Sequence, residues 1–410
     1  MKIGIVKERR PNESRVAASA DTVKKFVALG LDVVIEAGAG EGAAITDAAY
    51  REAGATLAKT GADTLADADI VLKGQKPIGP GATVRGTGDE VAMMKAGATL
   101  ISLMEPHRNR ALFEALAAKD VTCFAMELVP RITRAQSMDV LSSQSNLAGY
   151  KAVIEAAEAF GRTFPMMMTA AGTVPPAKCL VMGAGVAGLQ AIATARRLGA
   201  VVSATDVRPA AKEQVESLGA TFIAVEDEEF KQAETEGGYA KSMSDVYKQK
   251  QTALLVETIA KQDLVICTAL IPGSPAPILV NEEMVKSMKP GSVIVDLAVE
   301  QGGNCPLSRL GKTIIKHGVS IIGTANMPSR VSIDASILYA KNLLNFVMPL
   351  LDLEAKKLTV DFEDKIVKES MVTHAGAIVH PVVHGIVDAP RSAGRRRTAS
   401  NSSTTQNVTK

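Results

Sequence analysis

One pattern governs this chain: a helix-like run ends in glycine, and a short apolar strand follows. It recurs in "VALGLDVVIE", "REAGATLA", "KAGATLISL", "RRLGAVVSATD", "ESLGATFIAV", "MKPGSVIVDLA" and "IKHGVSIIG". Glycine suits the position just past a helix, because it takes the left-handed conformation that satisfies the last carbonyls. The strands are apolar at successive positions, as expected when both faces of a sheet are covered. Helices alternating with such strands imply parallel βαβ units.

The pattern forms two blocks. The first has strands near 2–6, 32–36, 69–73, 98–103 and 121–126. The second has strands near 179–183, 200–205, 221–225, 263–269, 292–297 and 319–322. Between them, "SSQSNLAGYKAVIEAAEAFGR" reads as a helix with polar capping residues at its start. After residue 330, "DASILYAKNLLNFVMPLL" reads as a helix returning to the first block, and "KLTVDFEDKIVKESMVTHAGAIVHP" alternates like a β-hairpin. The expected division is a first α/β domain over 1–140, completed by 328–388, with a second over 141–327. The basic, Ser/Thr-rich stretch 389–410 reads as a disordered tail.

Composition excludes several classes. A net charge of +2 with no Lys/Arg stripe argues against nucleic acid as a partner. Cys123, Cys179, Cys267 and Cys305 lie far apart without a CxxC, and three fall in strand-like runs, so they read as reduced core thiols. "MKIGIVKERR" lacks the apolar core of a signal peptide. The apolar stretch 164–195 is broken by Pro175, Pro176 and Lys178, which leaves no membrane span of about 20 residues. No metal site is expected: His380 and His384 are four apart but have no third ligand, and His317 before Gly318 reads as a helix-end cation.

The most specific stretch is "CLVMGAGVAGLQAIATARRLGAVVSATD". A strand leads into Gly183-Ala-Gly185-Val-Ala-Gly188, a helix opens, and a second strand ends in Asp206. Gly183 makes the turn, Gly185 admits a pyrophosphate, and Gly188 permits close helix–strand packing. The amides of Val186 and Ala187 would face the phosphates. The fold class is therefore α/β, with two Rossmann-like domains of mostly parallel strands flanking a cleft.

Asp206 suits the adenosine ribose of NAD(H). Against a 2′-phosphate, like charges about 4 Å apart at an effective dielectric near 20 repel by roughly 4 kcal/mol. Arg208 is the counter-argument, but it can point to solvent. The strand exit "DLVICTALIPG" should bring Ala269 and Leu270 to the dinucleotide.

A second patch, "RITRAQSMDVLSSQSNLAGY", crowds Arg131, Gln136, Asp139 and Ser142 into one turn-rich segment without a histidine. With the glycine fingerprint, "KERRPNESRVAAS", "GGNCPLS" and "TANMPSR", the chain from about 1 to 385 resembles the NAD(H)-binding component of proton-translocating NAD(P) transhydrogenase. The resemblance implies a homodimeric subunit of the Si/Re-specific enzyme. It would be cytoplasmic and held at the inner membrane by membrane-embedded proton-channel subunits. Hydride passes directly between NAD(H) here and NADP(H) on a partner subunit.

Carried over residue by residue, Arg131, Gln136, Asp139 and Ser142 hold the nicotinamide end, with Gln136 and Asp139 nearest the chemistry. Asp206, Val207 and Arg208 meet the adenosine, and Gly238 and Tyr239 belong to a loop that closes over the nucleotide. Hydride transfer between two nicotinamides needs alignment and exclusion of water rather than an acid or base, which explains the missing histidine. Helix capping is the plainer reading of Ser142, Ser143 and Ser145.

Alanine dehydrogenase is the competing resemblance. Its chemistry needs a substrate-binding lysine and a proton-shuttling histidine, where "LKGQKP" supplies Gln75 and "LISLMEPH" supplies Glu105, with Lys73, Lys76 and His107 nearby. Arg15 fits either family. A non-catalytic NAD-binding module is the third reading.

Overall fold

The computed structural model describes residues 1–80, 82, 84, 88–231, 244–271, 273–355 and 357–384. In chain order the first strands are β1 (Lys2–Ile5), β2 (Asp32–Glu36), β3 (Thr56–Ala58), β4 (Ile70–Leu72), β5 (Thr99–Ser102) and β6 (Thr122–Ala125). A small hairpin follows, β7 (Met167–Thr169) and β8 (Gly172–Val174). The next set is β9 (Lys178–Met182), β10 (Val201–Thr205), β11 (Thr221–Phe222), β12 (Leu264–Cys267), β13 (Val293–Asp296), β14 (Lys312–Lys316) and β15 (Val319–Gly323). Two short pairs finish the chain, β16 (Leu351–Asp352) with β17 (Lys357–Leu358), and β18 (Met371–His374) with β19 (Ala377–Ile378).

These strands build two large sheets. The first has the order β19-β18-β6-β5-β4-β1-β2-β3, parallel from β6 to β3. The second has the order β11-β10-β9-β12-β13-β15-β14, parallel except for β14 against β15. Every residue of β4, β5, β12 and β13 is buried, the outcome expected of strands covered on both faces.

The connecting helix, Val140–Ala159, and the return helix, Ser332–Val347, join the two sheets. The return helix places Tyr339, Leu343 and Phe346 in the core of the first sheet, where the Phe346 ring meets Phe124 edge-on at 5.3 Å. All four cysteines are free and buried.

Two local expectations change. "KTIIKHGVSIIG" is a hairpin rather than a helix end: His317 and Gly318 both take positive φ, 52° and 78°, between antiparallel β14 and β15. Those are the angles a two-residue hairpin turn requires, and the β-branched residues on either side favour strand. In "DKIVKESMVTHAGAIV", only 371–378 is a hairpin. Residues Lys365–Ser370 form a short helix capped by Asp364, with Ile366 and Val367 buried. The apolar run after Phe164 holds the β7–β8 hairpin, which exposes Met166 (59%) and Met168 (77%). No helix among the described residues is long and apolar enough to cross a membrane.

The C-terminal edges of the two parallel sheets face one another. Just past β1, the Ser14 amide donates to Ser329 Oγ (2.7 Å), in the loop that follows β15. On the other flank, a Cβ on Gly273, past β12, would come within 2.8 Å of His107 Nδ1, past β5. Open α/β sheets bind ligands at this edge.

Candidate functional site

The turn after β9 is shaped by close approach. Gly183 has φ +104°, and a Cβ on Gly188 would fall 1.8 Å from the Gly183 carbonyl oxygen. Thr268, not anticipated from the sequence, donates its hydroxyl to that carbonyl (2.9 Å) and ties β12 to the turn. The fingerprint helix Val186–Arg197 then starts at Gly185 without a side-chain cap.

Its first amides therefore lack the usual hydroxyl or carboxylate partner, and they carry the positive end of the helix dipole. A Cβ on Gly185 would meet nothing within 4 Å, so the approach to these amides is open. Uncapped amides, a positive dipole end and open space fit a pyrophosphate.

Asp206, at the end of β10, accepts four hydrogen bonds. They come from Ala184 N (2.7 Å), Arg208 N (2.9 Å), Arg208 Nε (2.9 Å) and Arg208 Nη2 (3.0 Å). Arg208 thus lies over Asp206 as a two-pronged clamp rather than pointing to solvent. The cause is local: the turn that bonds the Arg208 amide to Oδ1 also brings its guanidinium over the carboxylate. Four acceptor sites is the capacity of a carboxylate, so a ribose hydroxyl reaches Asp206 only by displacing the guanidinium. Val207 is half exposed beside this pair (51%).

The 131–142 segment leaves the C-terminal end of β6. Arg131 and Gln136 are exposed, and neither side chain has a hydrogen-bond partner among the described residues. Asp139 and Ser142 serve each other: Asp139 caps the connecting helix, accepting from Ser142 N (2.9 Å) and Ser142 Oγ (2.5 Å). The connecting helix then packs on the fingerprint helix so closely that a Cβ on Gly149 would lie 2.0 Å from the Ala187 carbonyl oxygen. From Gly149 back to Asp139 the helix spans about 15 Å. The 131–142 segment therefore runs into a helix that packs directly on the fingerprint helix.

Ala269 is fixed from both sides by Asn304, a fully buried residue missed in the sequence. Asn304 Nδ2 donates to Ala269 O (2.9 Å), and Ala269 N donates to Asn304 Oδ1 (3.1 Å). Leu270 beyond it is exposed (46%). "GGNCPLS" has a structural reason: Asp296, at the end of β13, accepts from Asn304 N, Cys305 N and Ser308 Oγ and folds this loop around itself. Gly238 and Tyr239 lie outside the described residues, as does the stretch 389–410.

At the back of the cleft sits a largely buried polar cluster. Arg15 donates to Glu13 through Nε (2.9 Å) and Nη2 (2.6 Å), to Gln144 Oε1 (2.8 Å) and to Asn326 Oδ1 (3.2 Å). Glu13 also accepts from Gln75 Nε2 (2.8 Å) and Asn326 Nδ2 (2.9 Å). Burial works against ionising Glu13, but Arg15 and Gln75 outweigh it and hold the carboxyl at about 2.

Lys73 is buried between Glu8 and Glu90 at 3.3 Å each, and Lys76 meets Glu105 at 2.6 Å. Each of these cations is thus matched by a carboxylate of this chain. Glu127 takes the Met104 and Glu105 amides, yet burial pushes it up to about 7.

Comparison with known proteins identifies the family. The family described as alanine dehydrogenase/PNT, N-terminal domain, matches residues 4–148, and its C-terminal-domain counterpart matches 152–381. The chain is 60% identical over 385 residues to the first portion of the NAD(P) transhydrogenase alpha subunit of Rhodospirillum rubrum, covering 94% of this chain and 99% of that one. A transhydrogenase crystal structure from Sinorhizobium meliloti superposes with TM-score 0.83 at 55% identity, covering 92% of this chain and all of that one. An L-alanine dehydrogenase structure gives TM-score 0.77 at 28% identity, covering 94% and 99%. The chain belongs to the alanine dehydrogenase/PNT family, on the side of its transhydrogenase alpha subunits.

Proposed function

We propose that this chain holds NAD(H) across the cleft and presents the nicotinamide for direct hydride exchange with NADP(H) on a partner subunit, coupled to proton translocation by membrane-embedded subunits. The observation that carries this reading is a contrast within the cleft. Arg131 and Gln136 are open and unpartnered among the described residues, whereas Arg15, Lys73 and Lys76 are each paired internally. A site that reduced a small oxo acid would need one of those cations for the carboxylate and a free acid for the proton. Exchange between two nicotinamides needs neither.

In this assignment the amides of Val186 and Ala187, under Gly183, Gly185 and Gly188, hold the pyrophosphate. Asp206, once released by Arg208, takes the ribose, with Val207 against the adenine side and Ala269 and Leu270 lining the other wall. Arg131, Gln136, Asp139 and Ser142 orient the nicotinamide ribose and carboxamide. The nucleotide supplies the hydride; the protein supplies alignment and a dry surface. Asp206 supports NAD(H) over NADP(H), because its carboxylate would repel a 2′-phosphate on the same ribose.

The domain division proposed with it is 1–140 plus 328–388 against 141–327. The reading also includes a homodimer, supported by the β7–β8 hairpin, an apolar projection with Met166, Met168 and Val174 exposed. The cytoplasmic, membrane-peripheral location follows from the partner subunits in the same reading.

Mixing the chain with a transhydrogenase NADP(H)-binding component, NADH and NADP⁺ should give transfer that neither component gives alone. Turnover with pyruvate and ammonia by this chain alone would instead establish the dehydrogenase reading. Tight NADH binding with neither activity would leave a binding module.

A further inference from the structure

We propose that Asn342 and Asp364, both from the C-terminal region of the chain, are positioning residues for hydride transfer: they set where Gln136 presents its amide. The proposal rests on the reading of Gln136 given above, and extends it to residues that touch no nucleotide.

Gln136 sits in a single 3-10 stretch, Thr133–Met138, whose Ala135 and Met138 point into the core. Such turns have poor hydrogen-bond geometry and rarely hold a side chain on their own. Here the residues on either side of Gln136 are tied from outside. The Ser137 carbonyl accepts from Asn342 Nδ2 (2.8 Å) and Asn345 Nδ2 (3.1 Å). Asn342 Oδ1 in turn accepts from Ser143 Oγ (2.7 Å), so one amide spans the turn and the start of the connecting helix. On the other side, Arg134 grips Asp364 with both ends of its guanidinium, at 2.9 and 2.5 Å.

These ties close a frame. Asp364 also accepts from the Ile366 amide (2.8 Å) and caps the helix Lys365–Ser370. That helix runs directly into β18, which pairs antiparallel with β6. β6 is the strand from which the 131–138 segment departs, so the path returns to its origin. The Arg134 bond holds the Asp364 carboxyl below the ordinary carboxylate range, so the clamp stays charged to lower pH than an unpaired aspartate would. Arg134 is 57% exposed, and exposed pairs of this kind contribute little to global stability. A geometric role therefore separates cleanly from a structural one.

The test is single-turnover hydride transfer by the full-length chain with the NADP(H)-binding component, at saturating NADH and NADP⁺, beside NADH titrations and thermal midpoints. Asp364→Asn and Asn342→Ala should slow transfer about tenfold while leaving NADH affinity within about twofold, since small misplacements cost rate rather than anchoring. The Asp364→Asn midpoint should stay near wild type, whereas Asn342 is buried and Asn342→Ala should lower the midpoint by a few degrees with no matching loss of NADH affinity. Exchanging the charges, Arg134→Asp with Asp364→Arg, should recover part of the rate lost in either single variant, since the exchange restores the ion pair but not the helix cap that Asp364 supplies.

Gln136→Asn is the reference: it should slow transfer without weakening NADH in the same measure. Wild-type rates in Asp364→Asn and Asn342→Ala beside a slow Gln136→Asn would overturn the positioning role and leave the site intact. Rate, affinity and midpoint falling together would overturn it as well, showing a structural tie only. A wild-type rate in Gln136→Asn would instead remove the site assignment beneath it. Should Asn342→Ala fail to fold, the charge exchange decides alone.

Discussion

The back of the cleft and its rim use the same side-chain chemistry to opposite ends. At the back, Glu13, Arg15, Gln75, Gln144 and Asn326 direct their hydrogen bonds at one another, and Glu13 is fully enclosed. At the rim, Arg131 and Gln136 have no partner among the described residues, and the fingerprint helix starts without a cap. Polar groups saturated internally fix how the two sheets meet. The groups left open are the ones that the proposed reading assigns to the nucleotide. The Asp206–Arg208 clamp lies between these cases, saturated yet partly exposed and local, so a ligand can replace one of its members.

Three substitutions put that contrast at risk. The largest effect belongs to Glu13→Ala, which leaves Arg15 buried without its counter-ion and should lower stability by about 3–5 kcal/mol in urea unfolding. Its pH dependence has a definite sign. The folded pKa of Glu13, about 2, lies below the ordinary 4.5, so its stabilisation is complete above pH 4.5. That stabilisation drains away as pH falls toward 2, and the gap between wild type and variant should narrow over the same window. A loss that stayed flat from pH 5 to 2 would mean the carboxylate charge is not what holds the cluster.

Next comes Gly188→Ala. Its Cβ has to displace the Gly183 carbonyl, and NADH affinity, read by fluorescence titration, should fall roughly 100-fold, about 2.7 kcal/mol. Unchanged affinity would place the phosphates elsewhere. The smallest effect is that of Asp206→Ala, about tenfold weaker NADH, because the wild-type carboxylate must first release Arg208 and that cost offsets part of the ribose bond. If Asp206→Ala bound NADPH better than wild type did, the freed Arg208 would be the reason, and the clamp would prove to be the device that selects between the two nucleotides.

The sequence made the architecture legible wherever the signal was local. Buried strands announce themselves by uninterrupted apolar runs, and Gly183, Gly185, Gly188 and Asp206 by spacing within one βαβ unit. One hairpin was concealed because a residue with positive φ before glycine occurs at helix ends and two-residue strand turns alike, as at His317-Gly318. Arg131, Gln136, Asp139 and Ser142 stood out as an unusual mixture, but the ties behind them did not. Asn342 bonds Ser137, and Asp364 bonds Arg134 from 230 positions away. Asn326, with its left-handed backbone (φ 48°), meets Arg15 from 311 positions away. Each of these residues is ordinary in its own neighbourhood, so only the fold reveals what it does.

The threading of the first sheet has a consequence for how the chain is made. Its strands β18 and β19 and the Tyr339, Leu343 and Phe346 of its core leave the ribosome after β9 to β15, which emerge as one continuous stretch. The later block can mature as soon as residue 323 is clear, while the N-terminal one must wait, half-dressed, for the return helix and those two strands to arrive. Birth order and order of completion are reversed, and the unfinished piece is the one that a chaperone would meet.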